Sequence, residues 1–574
     1  MNRRRGLCFL VVAMLLAGSV GACAQTETAT AQGFGGTVSV TLTVEDGVIT
    51  EVTATGDGET QGIGSAAVEQ LPDKILKSNR VDVDGIAGAS ITSAALLSAA
   101  QEALSAMGLS AADLKAAEAA PQTDGAQVED VVADVVVVGG GGAGVAAAMA
   151  ARDQGKSVVL LEKLSFLGGN TAMSGGVMTR GAIEGDPEGT MTKDELYDFY
   201  MEATGGMPDP QVVRTYVEES ADTLAWAHSM GSGVQETQRY RTTPENIMAV
   251  QAVGSGRGLM EPMIEGVMAS GADVRLNTPA TSLIVEDGRV VGVVATNQDG
   301  RSQNFYGKGG VVLATGGFPA SPELLAKYSS LGAERAIALC SAGTVGDGLV
   351  MAEAIGAAVR FGEDWDNIGS NSELTAPYMA AFPQLYALLV NDAAERIISE
   401  DAQRPTIYKE MLHQIADGAN GFWFVFDANT IGEGAEDFVQ QGSAVKADTL
   451  EELANLMGVP TETFLKTVER YNQLAGTDDP DFAKPAKFML GVKEGPFYAA
   501  KTWPVRTSTI GGLVIDKDAR VLDENDQPIP GLYAGGEVAN YSFFHSVYAT
   551  CGSAVGHAIV FGRIAGTNAA LESA

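Results

Sequence analysis

Three glycines and a glutamate are spaced along the chain as in a site that binds a dinucleotide. The apolar run 135–138 leads into Gly139, Gly141 and Gly144, and an alanine-rich stretch follows. A second apolar run ends in Glu162, roughly 20 residues after the glycines. Glycines let the backbone approach a pyrophosphate, the next helix N-terminus stabilises its charge, and the glutamate can accept hydrogen bonds from the adenosine ribose. The spacing predicts a βαβ unit that holds a dinucleotide, rather than a glycine turn without a ligand.

A cluster of hydroxyl groups lies nearer the N-terminus, in the stretch DGIAGASITS at 84–93. An alanine-rich helical pattern follows it, so Ser90, Thr92 or Ser93 could cap that helix. A hydroxyl is also the group that forms a phosphoester, and the small residues Gly88 and Ala89 leave room beside Ser90. The residues alone leave both roles open.

Composition excludes some functions. The chain has 574 residues, of which 45% are hydrophobic and 70 are glycine, which suits several domains with large cores and many tight turns. Its net charge of -35 would repel nucleic acid, so we expect no nucleic-acid partner. There is no C-x-x-C-H motif for haem and no pair of histidines at metal-ligand spacing, so we predict no metal site. Whether Cys340 and Cys551 pair stays open.

The N-terminus has the pattern of an export signal. Basic residues Arg3–Arg5 precede the short apolar stretch Leu7–Val20, which is too short for an ordinary transmembrane helix. The sequence VGAC that ends at Cys23 resembles a bacterial lipobox, in which the cysteine is lipidated; an ordinary cleaved signal is the alternative. We therefore expect an exported protein, lipid-anchored through Cys23 to the outer face of the bacterial cell membrane.

Further motifs follow the glycine turn in a fixed order. They are GGNTAMSGG (168–176), VVLATGGF (311–318), GTVGDGLVMAEAIGA (343–357), GLYAGGEV (531–538) and CGSAVGHAIVFGRIAG (551–566). Together these resemble the FAD-dependent fumarate reductase and urocanate reductase-like flavoproteins, in their soluble single-chain branch, over about 131–574. The resemblance implies non-covalent FAD bound by Gly139, Gly141, Ala143, Gly144, Glu162, Asn170, Thr171, Gly175, Gly176, Ala280, Asp347, Glu537, Ala554 and Val555.

The hydroxyl cluster resembles the D-x-x-x-G-A-[ST]-x-[ST] segment of FMN-binding domains, which are often fused to this branch. In those domains an FMN transferase links the FMN phosphate to the hydroxyl after Gly-Ala, which implies covalent FMN on Ser90. Threonine is commoner at that position. The upstream ETQGIG at 59–64 fits the same domain.

The expected fold is α/β plus α+β: a Rossmann-like FAD-binding domain with an inserted capping domain, preceded by a small α+β FMN-binding domain. Alternating residues on both sides of Asp46-Gly47 predict a β-hairpin, and a helix is expected near 64–77. The expected boundaries are signal peptide 1–22, tether 23–32, FMN-binding domain 33–110, linker 111–130, FAD-binding domain 131–360 and 503–574, and capping domain 361–502.

In this family, substrate is held between cap and flavin, hydride passes from FAD N5 to one alkene carbon, and a cap arginine protonates the other. The family's arginine lies in V-N-x-x-G-x-R-F-x-x-E-x-x-x-R-D, which VNDAAERIISEDAQRP (390–405) resembles. The match implies Arg404 as the catalytic acid, with a surface salt bridge to Glu400 as the alternative. Pro405 predicts that Arg404 lies in extended backbone, and Ala394 stands at the family's glycine.

Departures from the family pattern bear on the substrate. Ser508 and Ala549 stand where the family has a histidine and an arginine that hold a dicarboxylate, and Ala380 and Pro383 stand at its proton-relay positions. A C4 dicarboxylate needs charged partners at both ends, so fumarate is disfavoured. Nearby aromatic residues suit an aryl or bulky substrate, with Tyr386, Ser508, His545 and Tyr548 as candidate substrate contacts, and Tyr378, Phe382, Tyr541, Phe543 and Phe544 as further aromatic walls.

These features imply an extracytoplasmic reductase of the C=C bond of an α,β-unsaturated acceptor (EC 1.3 type). Electrons from a membrane-associated donor would pass through FMN and FAD to a small-molecule alkene, as in anaerobic respiration. We expect a monomer. Two other functions stay open: a ketosteroid-type dehydrogenase, in which a tyrosine supports enolisation, and a non-catalytic electron-transfer flavoprotein.

Overall fold

The structure is a computed structural model that describes residues 24–573 with internal gaps, and it divides into two compact units, 1–126 and 127–574. The gaps are 33–35, 60–63, 82, 84, 87–89, 111–112, 116–127, 237–245, 298–299, 330–331, 363–384, 403, 431–434, 441 and 443. No helix of the described ranges is long and apolar enough to cross a membrane. Cys23 and the predicted signal peptide lie outside the described residues.

The first unit is a three-stranded antiparallel sheet with two helices. Its elements are β1 (Gln25–Gln32), β2 (Thr37–Glu45), β3 (Val48–Thr55), α1 (Gly64–Ser78) and α2 (Ser90–Ala106). Alternate residues of β2 are buried in a core that includes residues of both helices, as period-2 patterning requires. Asp46 and Gly47, both at positive φ, make the turn between β2 and β3. The predicted hairpin and the helix near 64–77 are confirmed.

The predicted tether at 23–32 is wrong for most of its length, because Gln25–Gln32 form strand β1 along β2. The threonines of its TETATA pattern meet threonines of β2, and the Thr26–Thr43 and Thr28–Thr41 hydroxyl pairs lie 2.9 and 2.8 Å apart. The alanines between them, Ala29 among them, pack against the core. Small polar residues are typical of a linker in composition, yet here they alternate as a strand.

The second unit is built on parallel strands in the order β22–β12–β4–β5–β9. Strands β10 and β11 extend the sheet as an antiparallel meander on β12, and β21 pairs with β22. The strands of this region are β4 Val131–Val138, β5 Val158–Leu161, β6 Val177–Arg180, β7 Val234–Glu236, β8 Met248–Ala252, β9 Asp273–Arg275, β10 Ala280–Glu286, β11 Arg289–Thr296, β12 Ser302–Leu313, β13 Ile337–Ala338, β14 Val359–Arg360, β19 Val505–Arg506, β20 Gly512–Leu513, β21 Arg520–Leu522 and β22 Pro528–Ala534.

Two helices that pack on this sheet, Gly142–Asp153 and Ser553–Glu572, contact each other through their backbones. Side chains at Gly562 and Gly566 would place Cβ 2.3 and 2.1 Å from carbonyl oxygens of Ala143 and Ala147, so the backbones touch there. This contact holds the first two turns of the helix Gly142–Asp153 against the middle of the helix Ser553–Glu572. The helices of the region are α3 Gly142–Asp153, α4 Gly169–Met173, α5 Lys193–Ala203, α6 Pro210–Ser229, α7 Ser255–Ala269, α8 Pro322–Tyr328, α9 Asp347–Glu353, α14 Tyr541–Phe544 and α15 Ser553–Glu572.

An inserted region carries its own antiparallel sheet, in the order β15–β16–β18–β17. Its strands and helices are β15 Leu388–Asn391, α10 Arg404–Ala416, β16 Phe422–Asp427, α11 Ala435–Gln440, β17 Ala444–Ala447, α12 Leu450–Met457, α13 Thr461–Gln473 and β18 Phe497–Thr502. The chain enters this cap just after β14, which pairs with β20, and leaves it just before β19, which pairs with β13. These pairings tie both ends of the cap to the FAD-binding region.

Candidate active site

The glycine turn forms a cradle with one open position. A Cβ at Gly139 would lie 2.4 Å from the Ala314 carbonyl oxygen, and one at Gly144 would lie 1.8 Å from the Gly139 oxygen. The fold itself therefore requires these two glycines. A Cβ at Gly141 would have its nearest described neighbour, the Gly169 Cα, at 4.0 Å. The space in front of Gly141 and the N-terminus of α3 fits a pyrophosphate, as in other dinucleotide folds.

Glu162 follows β5 and lies beside the turn. One carboxylate oxygen accepts the Gly140 N–H and the other accepts the Leu164 N–H, both at 2.7 Å. Burial raises its pKa. The Glu162 carbonyl accepts the Thr278 N–H, which brings Ala280, at the start of β10, to this end of the site. These groups suit the ribose end of a dinucleotide.

Asp347 is tied to the same end. It is the first residue of α9, and its carboxylate lies 2.6 Å from Lys163 Nζ, next to Glu162. Lys163 was not among the predicted site residues. No sequence pattern indicates Lys163, because the Lys163–Asp347 pair joins residues that are far apart in the chain.

Asn170, in α4, joins three segments of the site. Its Oδ1 accepts the Ser341 N–H at 2.6 Å, and its Nδ2 donates to the Thr507 carbonyl and to Glu537, both at 3.2 Å. Thr171 lies beside Gly142, since a Cβ there would be 2.5 Å from the threonine hydroxyl. The predicted residues Gly175 and Gly176 lie in the turn after α4: the Gly175 carbonyl accepts Gln251 Nε2 at 2.8 Å, and Gly176 has φ 66°.

Glu537 lies between Asn170 and the loop before β20. Its Oε1 accepts the Thr509 N–H at 2.7 Å, and burial raises its pKa to about 7. A Cβ at Gly317 would lie 2.3 Å from Oε1, so three motifs of the sequence meet at this carboxylate. Predicted substrate residue Ser508 is half-buried between Thr507 and Thr509, which both belong to this network.

The N-terminus of α15 forms the far side of the site. Gly552 caps it at φ 96°, and Ala554 and Val555 in its first turn stay half-buried, whereas the next residues are buried. The Tyr548 hydroxyl accepts the Gly552 N–H at 3.1 Å, and burial raises its pKa, so the phenol stays protonated. An oxygen that accepts a backbone N–H keeps its own proton to donate.

His545 has unusual backbone geometry, with φ 53° and ψ -82°. Non-glycine residues in such strained regions concentrate at functional sites. Its ring lies 5.0 Å from that of Tyr541, and a Cβ at Gly362 would be 2.7 Å from its Nδ1. Tyr386 lies in the cap, where its ring meets Phe488 at 5.9 Å.

Two of the predicted aromatic walls are core residues instead. Phe543 and Phe544 are 2% and 1% exposed and pack against each other and against His557. Their apolar rings fill the space under α15, so they do not line a substrate site. Tyr378, Phe382, Ala380 and Pro383 lie outside the described residues.

Arg404 begins helix α10, and its side chain lies outside the described residues. The prediction of extended backbone is wrong: Pro405 falls in the first turn, where a missing N–H costs no helix bond. A salt bridge from Arg404 to Glu400 would not lie at the surface, because the Glu400 side chain is 0% exposed and pairs with Arg396 and Lys484. Ala394, at the family's glycine, has φ 64°, a conformation that favours glycine.

Helix α10 lies between the cap and the FAD-binding region. Ile407 and Met411 belong to a cap cluster, whereas Tyr408 and Leu412 belong to the main core. Burial lowers the pKa of the Arg506 guanidinium, and the neighbouring Tyr408 phenol and Cys340 thiol oppose that shift. Tyr408 of α10 therefore lies close enough to Arg506, in the strand that leads to Ser508, to influence its charge. Cys340 and Cys551 do not form a disulfide with each other.

In the first unit, helix α2 begins at Ser90, whose side chain lies outside the described residues. The other two hydroxyls have structural partners. Thr92, 2% exposed, donates to Glu59 at 2.5 Å, and Ser93, also 2% exposed, accepts the Ile86 N–H at 2.9 Å. Both are buried, so a bulky modification would not fit on either one.

Comparison with known proteins agrees with this architecture. The FAD binding domain family matches residues 134–555, and the FMN-binding domain family matches 33–105. Urocanate reductase of Eggerthella lenta is 32% identical over 97% of this chain and 94% of its own length, and vinyl phenol reductase of Lactiplantibacillus plantarum is 27% identical over 76% and 96%. The open conformation of a flavocytochrome c3 fumarate reductase superposes with a TM-score of 0.67 at 27% identity, over 80% of this chain and 83% of that one. The chain belongs to the FAD binding domain family of oxidoreductases and carries an FMN-binding domain ahead of it.

Proposed function

We propose that this protein reduces the C=C bond of an aryl-substituted or otherwise bulky α,β-unsaturated acid or ketone. The main support is the hydrogen bond from the Gly552 N–H to the Tyr548 hydroxyl at the start of α15, beside Ala554 and Val555. A protonated phenol and a helix N-terminus together stabilise negative charge that develops on a substrate oxygen. Relatives named as reductases of urocanate and vinyl phenol support an unsaturated acceptor with a ring.

Bound FAD supplies the hydride for one alkene carbon. Arg404, at the start of α10, supplies the proton for the other; the same helix carries Tyr408, whose phenol influences Arg506 in the strand leading to Ser508. A guanidinium has a pKa above about 12, so it acts as an acid only toward a carbanion that is more basic still. Neutral residues at Ser508 and Ala549 disfavour a second substrate carboxylate.

The protein would also need covalent FMN attachment and a membrane anchor. An FMN transferase attaches FMN to Ser90, since Thr92 and Ser93 are buried and bonded. FMN held on Ser90 would relay electrons from a membrane-associated donor, and lipid on Cys23 would hold the exported protein at the outer face of the membrane.

The same Tyr548 geometry supports a second candidate function, the dehydrogenation of a ketone next to its carbonyl. The phenol would then polarise the carbonyl for enolisation, and no acid arginine would be needed. Arg404→Ala separates the two: it slows alkene reduction at least about a hundredfold in the first function and spares ketone oxidation in the second.

An acceptor panel tests the proposed function. Holoenzyme is assayed with dithionite-reduced methyl viologen as donor and trans-cinnamate, 4-vinylphenol, urocanate, acrylate or fumarate as acceptor. We expect an aryl acceptor to exceed fumarate in kcat/KM by at least about tenfold, which corresponds to about 1.4 kcal/mol. Preference for fumarate contradicts the substrate class, and absence of turnover with every acceptor favours a non-catalytic electron carrier.

A further inference from the structure

Four charged side chains are buried together in the cap. Glu400, Asp479 and Lys484 are 0% exposed and Arg396 is 7% exposed. Arg396 lies 2.9 Å from Glu400 and 2.6 Å from Asp479, and Lys484 lies 3.0 Å from Glu400. These four side chains comprise two cations and two anions, so their charges cancel.

The cluster joins three segments of the cap. Lys484 Nζ donates to Glu400, to the Tyr471 hydroxyl at 2.6 Å and to the Ala387 carbonyl at 3.0 Å. Glu400 also accepts the Leu389 N–H at 2.9 Å. The start of β15, the loop from β15 to α10 and the segment after α13 are therefore held at one point.

Stability alone gives no reason to keep such a cluster. Burying each ion costs several kcal/mol, and apolar replacements of similar volume are often as stable or more so. Buried ionic groups are best attested as devices that fix one arrangement of the chain. Burial lowers the pKa of Lys484, and the neighbouring Glu400 carboxylate opposes that shift.

The cluster immobilises the backbone segment that leads into α10. Glu400 precedes Arg404 by four residues, and the Ala402 N–H bonds the Ser399 carbonyl in the turn between them. On the other side of Arg404, Ile407 and Tyr408 are buried in the cap cluster and the main core. Arg404 thus lies between two immobilised points of the chain.

We infer that Arg396, Glu400, Asp479 and Lys484 form a positioning cluster for Arg404. The inference rests on the proposed function, in which Arg404 delivers the proton. A misplacement of about 1 Å at a reacting group costs roughly a hundredfold in rate. Loss of the cluster should therefore lower kcat and leave KM and FAD content nearly unchanged.

The first test is Glu400→Gln in the holoenzyme, assayed with the panel acceptor that has the highest wild-type kcat/KM. The matched control is Asp186→Asn, which breaks the Arg180–Asp186 pair, whose side chains are 10% and 11% exposed. We expect Glu400→Gln to lower kcat at least about tenfold. The control should lower Tm and leave kcat unchanged. Equal effects of both variants on kcat, or an unchanged kcat in Glu400→Gln, would overturn the inference.

Two further variants keep the test decisive. If Glu400→Gln does not fold, Lys484→Met removes one charge and leaves Glu400 paired with Arg396, and the same fall in kcat is expected. In an Arg404→Ala background, where slow single turnovers are followed over hours, Glu400→Gln should have no additional effect. An additive loss there overturns the inference, whereas wild-type kcat in Arg404→Ala alone overturns the proposed function.

Discussion

The Thr509 backbone N–H donates to Glu537 Oε1 at 2.7 Å, and this one bond joins the loop after the cap to the β22 motif. Asn170 holds the second oxygen, so the carboxylate is the centre of the site's polar network. Burial raises the Glu537 pKa from 4.5 to about 7, and that shift has a measurable consequence.

Because the folded-state pKa is the higher one, folding takes up a proton between pH 4.5 and about 7. The free energy of unfolding therefore falls as pH rises through that interval and levels off above it. The loss is on the order of 3 kcal/mol for this group. Urea unfolding of the FAD-free protein at several pH values should show this fall in the free energy of unfolding. Glu537→Gln, whose side chain cannot titrate, should not show it. Parallel pH curves for the two proteins would contradict this assignment.

Replacing Gly141 should weaken FAD binding without destabilising the fold. A Cβ there meets open space, so Gly141→Ala should fold with an unchanged Tm in the FAD-free state. The added methyl group occupies the path of the pyrophosphate, and we expect FAD affinity to fall at least about tenfold by titration. Gly144→Ala is the contrast: its Cβ would lie 1.8 Å from the Gly139 oxygen, so the FAD-free Tm itself should fall. Unchanged FAD affinity in Gly141→Ala would show that the pyrophosphate does not bind in front of Gly141.

Ser90 should be the single attachment point of FMN. Coexpression with an FMN transferase should give a fluorescent band on a denaturing gel and a mass increase of one FMN less water. Ser90→Ala should lose both signals. Ser93→Ala, which removes a buried acceptor of the Ile86 N–H, should keep them at reduced stability. A fluorescent band in Ser90→Ala would move the attachment site elsewhere.

Tyr548→Phe tests the oxygen-binding role of the phenol. The variant keeps the ring beside Phe544 and loses only the hydroxyl near Gly552. Removing one such donor lowers kcat about a hundredfold in comparable sites. Tyr541→Phe, on the ring facing His545, serves as the control and should stay within about twofold of wild type. Equal kinetics for both variants would remove Tyr548 from the site.

The local features of this fold could be predicted because local sequence determines them. The hairpin at Asp46-Gly47 and the glycine turn after β4 depend on neighbouring residues and a fixed period. Strand β1 could not be predicted in this way, because the TETATA segment becomes a strand only through its pairing with β2. The meeting of Asn170, Ser341 and Glu537 depends on long-range packing, and so does the cap cluster around Glu400.

The most direct test of the account is the rate at which the best panel acceptor reoxidises the bound flavin in Arg404→Ala. Arg214→Ala, which removes a cation from a surface pair with Asp194, is the control. General acids contribute about a hundredfold to ten-thousandfold, so the Arg404 variant should be slower by at least the lower factor, with FAD content and KM unchanged. Reoxidation at the rate of the Arg214 control would contradict the proposed proton donor.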